Sequence, residues 1–119
     1  MVNKIYFTNE EIICKCGCGY VNFITAFFTK INTVRGIVGS PLTVNSWCRC
    51  GPHNAFVGGS VTSSHPKGLA VDLDTPTAYI RYRILLAAGE INFRGVGIHN
   101  HFIHLDDDPD KAPNRFWIY

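Results

Sequence analysis

The chain has 119 residues, 46% apolar and 17% charged, which suits one folded domain and excludes a disordered segment. Its formal charge of +2 comes from eleven scattered basic residues against nine acidic ones, so nucleic acid is not expected as a partner. No apolar run approaches the ~20 residues that span a bilayer, so no membrane insertion is expected.

The N-terminus, Met1 to Phe7, lacks the apolar core and small-residue cleavage site of a signal peptide. Synthesis and folding in a cytoplasm, as a monomer, are the expectation. Tyr6 to Ile13 begins extended and then enters a helix, with Thr8 as N-cap and Glu11 completing a capping box. Cys16-Gly17-Cys18-Gly19 stops it. Asn22 to Arg35 reads as a helix whose core face is Phe23, Phe27, Ile31 and Val34, ended by Gly36 and Gly39.

Pro41 to Trp47 reads as a strand, with Leu42, Val44 and Ser46 on one face and Thr43, Asn45 and Trp47 on the other. Arg49 to Ser64 reads as a long loop, a kind of segment that is usually functional. Leu69 to Asp74 is a second strand, with Ala70, Asp72 and Asp74 sharing a face. Thr75 and Pro76 start a helix that runs to about Ala88. Phe93 to Ile98 and Phe102 to Leu105 form a hairpin through His99-Asn100-His101, and the tail to Tyr119 is polar, then aromatic. The sum is an α+β domain: a small antiparallel sheet flanked by helices.

Five cysteines fall in two clusters, Cys14, Cys16, Cys18 and Cys48, Cys50. An odd count and CxC spacing fit a disulfide framework poorly. Free thiols are the plain reading, and a structural zinc on four of the five is the rarer one, since such sites mostly use wider spacing. No CxxC exists to support a redox role.

The chemistry concentrates in His65, Asp72 and His104. Two imidazoles and a carboxylate from separate segments are the ligand set of a catalytic zinc site with one position open. Asp72 sits among Leu69, Ala70, Val71 and Leu73, where an unpaired carboxylate would be costly to bury, and a metal is a good partner for it. The turn Pro66-Lys67-Gly68 lets His65 fold back toward Asp72. The plain alternative is a surface histidine at 65 and a strand-end polar residue at 72. Asp74 is the alternative ligand on the same face. Asp106, two residues past His104, is placed to orient that ring. Asp107, Asp108 and Asp110 read as solvated surface, and His53 as a structural loop histidine or a cleft residue.

Ser63-x-His65-x-x-Gly68-x-Ala70-x-Asp72, with His104-x-Asp106 downstream, resembles the M15 group of zinc D-Ala-D-Ala peptidases. That group includes carboxypeptidases, dipeptidases and bacteriophage endolysins, and the hedgehog signalling domain shares its fold. Ser46 to Asn54 resembles the group's Arg-containing segment, and Phe7 to Gly19 the opening of its short, phage-associated branch. The resemblance implies a hedgehog/DD-peptidase-like fold and zinc on His65, Asp72 and His104. It implies that Arg49 stabilises an oxyanion or holds substrate. Ser63 would hydrogen-bond substrate, or else cap a turn. The general base of the group, commonly Glu or Asp three residues before the last ligand, is replaced here by His101, with His99 in reserve. The implied activity is hydrolysis of peptidoglycan stem peptides, as a carboxypeptidase or an endolysin-type endopeptidase, after release or from within a virion. The alternative is a non-catalytic, zinc-containing wall-binding or structural module of a phage particle.

Overall fold

A computed structural model describes residues 4–119. In chain order the elements are α1 (Asn9–Ile12), α2 (Thr25–Val38), β1 (Val44–Ser46), α3 (Gly51–Phe56), a 3-10 turn (His65–Lys67), β2 (Ala70–Asp74), α4 (Ala78–Ile91), β3 (Gly95–Ile98), β4 (Phe102–Asp106) and β5 (Arg115–Ile118). The strands form one sheet in the order β1-β2-β4-β3-β5. The first three pairings are antiparallel, while β5 runs parallel to β3. The domain is α+β, as the sequence suggests.

Alternation along β2 and β4 divides the sheet into two faces. Val71 and Leu73 of β2, with Ile103 and Leu105 of β4, join Phe27, Ile31 and Val34 of α2 and Ile84 and Ala87 of α4 in the core. Each large apolar side chain buried there contributes about 1.5–3 kcal/mol. The residues between them face the other way. Asp72 stands opposite His104, and Ala70 opposite Asp106. β3 completes that face with Gly95 and Gly97. A Cβ on Gly97 would lie 2.5 Å from the Trp117 ring, and one on Gly95 would lie 2.6 Å from the Asp106 carboxylate.

Several expected boundaries move, each for a tertiary reason. Phe23 is 51% exposed and lies tilted against Phe28, with 5.2 Å between ring centroids, so it is not core. The helix starts only at Thr25, because the Asn22 amide is held by Cys48 Sγ at 3.4 Å. Gly36 lies inside α2, where a Cβ would meet the Tyr6 ring at 3.7 Å, and Gly39 alone caps it with φ 76°. A register slip between Val44 and Ser46 turns Trp47 inward, so it is buried together with Leu42 and Val44.

Thr77, not Thr75, caps α4, its hydroxyl accepting the Ile80 amide at 3.2 Å. Thr75 is spent on the hairpin, donating its amide to the His101 carbonyl at 2.9 Å. Part of the expected 49–64 loop is the helix α3, and the aromatic tail is a strand. Asp108 is fully buried: it accepts from Ser64 Oγ and Lys67 Nζ, both at 2.9 Å. Only Asp110 of the acidic run fits the solvated reading, with 78% of its side chain exposed.

Candidate active site

Three elements deliver the candidate ligands. The 3-10 turn folds His65 back over the sheet, and Gly68 closes it with φ 71°, its amide donating to the His65 carbonyl at 3.0 Å. A Cβ on Gly68 would lie 1.9 Å from the Asn22 carbonyl oxygen, so the turn needs a glycine. Strand pairing then sets Asp72 beside His104. Asp72 Oδ1 lies 2.9 Å from His104 Nδ1, and Asp72 Oδ2 lies 3.3 Å from His65 Nε2. One ligand atom from each residue falls within 4.8 Å of the others, a spacing at which they can hold one metal ion.

The backing of each ring fits that reading. His65 Nδ1 donates to the Trp47 carbonyl at 2.7 Å, leaving Nε2 turned to Asp72. His104 Nε2 lies 2.9 Å from Asp106 Oδ2, leaving Nδ1 turned to Asp72. Metal-ligating histidines typically anchor the second nitrogen in this way. The donor set therefore suits a cation that takes two imidazole nitrogens and a carboxylate.

The electrostatics agree. Burial works to raise the Asp72 pKa, yet His104 and His65 outweigh it and hold the carboxyl well below the usual range. Burial likewise opposes ionisation of Asp106, but His104 and Arg115 bring its pKa down to about 2. For His104 burial disfavours the charged ring, and the carboxylates of Asp106 and Asp72 more than compensate, raising its pKa. Two anions around one imidazole are a place where positive charge is stabilised.

Arg49 lies beside the trio, in the segment between β1 and α3. Its Nε donates to Ser46 Oγ at 3.1 Å and its Nη1 to Asn54 Oδ1 at 2.9 Å, and Nη2 lies 3.5 Å from Asp72 Oδ2. Asn54 is itself fixed by donating to the Ser60 carbonyl at 2.9 Å. Burial lowers the guanidinium pKa, and Asp72 offsets that only in part. A guanidinium held at three points is a fixed, directional cation.

The trio opens into a cleft of about 490 Å³ that Arg49, Ser63 and Asp106 also line. Ser63 Oγ accepts the His65 amide at 3.2 Å, so it caps the turn while facing the cleft. Arg115, Trp117 and Tyr119 form the far wall, a contribution the sequence reading missed. Arg115 Nη2 donates to Asp106 Oδ1 at 2.5 Å, and the Trp117 ring lies 5.4 Å from that of His104. Their only sequence signal is alternation in Arg115-Phe116-Trp117-Ile118, which does not say which strand they join.

His101 is not brought to this cleft. It is exposed and borders a separate hollow of about 730 Å³ with Asp74, Arg81 and Tyr82. It sits in the turn just before β4, where its carbonyl accepts the Thr75 amide at 2.9 Å, which holds it on the Thr75 side of the hairpin. His99 stacks on Phe102 at 4.5 Å and accepts the His101 amide at 3.1 Å. Asp74 lies near Asn45 Nδ2, at 3.4 Å, and is not part of the trio. His53 stacks with Phe56 on α3.

A family model described as Peptidase M15 matches residues 5–106. The chain belongs to the M15 peptidase family. No curated protein matches it. As in a metallopeptidase, this M15 chain sets a candidate metal site in a cleft beside a fixed arginine. Among the described residues, no helix is long and apolar enough to cross a membrane.

Proposed function

We propose that the protein is a zinc-dependent peptidase that cleaves peptide bonds in peptidoglycan stem peptides. The observation that carries this reading is the convergence of His65, Asp72 and His104 in one cleft with Arg49. In this reading His65 Nε2, Asp72 and His104 Nδ1 hold the ion. Bound there, zinc supplies Lewis acidity toward water and toward the scissile carbonyl. The Trp47 carbonyl and Asp106 keep the two rings in their ligating orientation. Arg49, locked by Ser46 and Asn54, receives the negative charge that develops on the carbonyl oxygen. Ser63 orients the peptide at the cleft edge.

Charge supports the substrate class. Lys111 lines the cleft beside Arg49 and Arg115, which are paired with Asp72 and Asp106, and it suits a carboxylate of a wall stem peptide. Such a substrate is reached after release of the protein from the cell that makes it, or from within a virion.

The test is release of peptide products from purified peptidoglycan by wild type and by His65→Ala. Wild type should act, and the variant should lose both the activity and about one zinc equivalent per chain, as one mononuclear site requires. Full activity in the variant would sink the proposal. One observation favours a second reading, a non-catalytic zinc-containing wall-binding module: the residue in the position of the group's base, His101, lies outside the cleft. Zinc-loaded protein that binds walls but releases nothing would establish that reading instead.

A further inference from the structure

The four sulfurs of Cys14, Cys16, Cys18 and Cys50 converge outside the cleft that holds His65, Asp72 and His104. We propose that they form a second, structural metal site: a zinc ion held by four thiolates. The Sγ atoms of Cys14, Cys16 and Cys50 form a near-equilateral triangle, with edges of 3.5, 3.6 and 3.7 Å. All four sulfurs lie within 4.8 Å of one another. Zinc–sulfur bonds of about 2.3 Å in a tetrahedron set sulfur–sulfur edges of about 3.75 Å, close to this triangle. Disulfide chemistry would use the sulfurs in pairs and has no need of a four-way convergence.

A second observation points the same way. Backbone amides are aimed at three of the sulfurs: Cys50 N at Cys14 Sγ and His53 N at Cys50 Sγ, both at 3.4 Å, and Tyr20 N at Cys18 Sγ at 3.3 Å. Neutral thiols are weak acceptors, whereas donors around sulfur favour the thiolate, the form that binds metal. The chain geometry explains how CxC spacing serves. Gly17 and Gly19, with φ of 86° and 82°, turn the segment around the cluster, and the Cys14 amide closes it on the Tyr20 carbonyl at 2.9 Å. The fifth cysteine, Cys48, is fully buried in the core and stands apart with Asn22.

The placement gives the ion a task. Cys50 directly follows Arg49, whose amide donates to the His65 carbonyl at 3.3 Å. Tyr20, at the end of the cysteine loop, donates its hydroxyl to the Pro66 carbonyl at 2.5 Å. The ion ties the Cys14–Cys18 loop to the segment that carries Arg49, so it braces one wall of the cleft without lying in it.

The test is zinc analysis and cobalt substitution of the whole chain, purified under reducing conditions. Variants are His65→Ala and the double variant Cys16→Ser/Cys18→Ser, both of whose sites are exposed and replaceable without disturbing the core. Wild type should bind about two equivalents, and each variant about one. Cobalt-loaded wild type and His65→Ala should show the intense near-ultraviolet thiolate-to-cobalt absorption, and the double variant should lose it. A wild type without that absorption, or a double variant that keeps all its zinc, overturns the proposal. Zinc lost only in the double variant, with His65→Ala unchanged, keeps this site and removes the ion from the His-Asp-His site.

Discussion

The two clusters of ligand-type side chains in this chain are built in opposite ways. His65, Asp72 and His104 rest on paired strands and a tight turn, nearly buried, with each ring anchored from behind. The cysteine cluster rests on loops, with Cys16 and Cys18 exposed. Three donors in a cleft leave room for a reacting partner, whereas four donors close the shell around an ion. The contrast teaches that donor number and support, more than residue type, separate a site for chemistry from a site for bracing.

The comparison breaks most sharply at the ligands. His65→Ala should cost about a thousandfold or more in peptide hydrolysis, since several kcal/mol of Lewis-acid stabilisation is removed. Arg49→Ala comes next, with a fall of about 10²–10³ in kcat and a smaller change in KM, the mark of a group that acts on developing charge. Equal losses through KM alone would make Arg49 a binding residue only. Asp106→Asn removes the anion behind His104 and should weaken zinc affinity about 10–100-fold, measurable by competition with a chelator. Unchanged affinity would show that His104 needs no such support.

Acid should loosen the sheet face before the core. Asp106, with its pKa lowered from 3.8 to about 2, and Asp108, lowered by Lys67 and Ser64 against the opposing effect of burial, both ionise more readily folded than unfolded. The sign follows: their stabilisation is fully present above pH about 4 and is lost as pH falls through the lowered values. Denaturant midpoints of metal-free protein should therefore drop between pH 5 and pH 2, and less so in Asp108→Asn. A flat profile would remove these pairs from the stability of the fold. The smallest effect is expected at His101→Ala, a loss under about tenfold, because the ring borders a different hollow. A loss of several hundredfold would mean that the hairpin turn enters the cleft during turnover and that His101 moves the proton.

Much of the site was legible because it depends on short-range order. Alternation in Ala70-Val71-Asp72-Leu73 assigns Asp72 a face of its own, and the same rule puts His104 and Asp106 together. Gly68 was readable as a position that needs a bare backbone, and the Asn22 carbonyl shows why. His101 takes the position of the group's base by resemblance alone; it lies in the turn before β4 and borders a different hollow, a placement set by how the hairpin packs and not by any local pattern. Asp108 read as surface because its partners, Ser64 and Lys67, are more than forty residues away.

By itself the sequence determined the α+β class, the two strands that carry Asp72 and His104, the capping box where Thr8 N donates to Glu11 at 2.8 Å, and the identity of the candidate ligands. These follow from local periodicity, capping and side-chain chemistry, which neighbouring residues set. Only the tertiary structure decided that β5 joins β3 in parallel and brings Arg115 and Trp117 over Gly95 and Gly97. It alone carried Cys50 to the Cys14–Cys18 loop and turned His101 away from the cleft. Such pairings arise from packing between distant segments, and no local pattern in either segment names its partner.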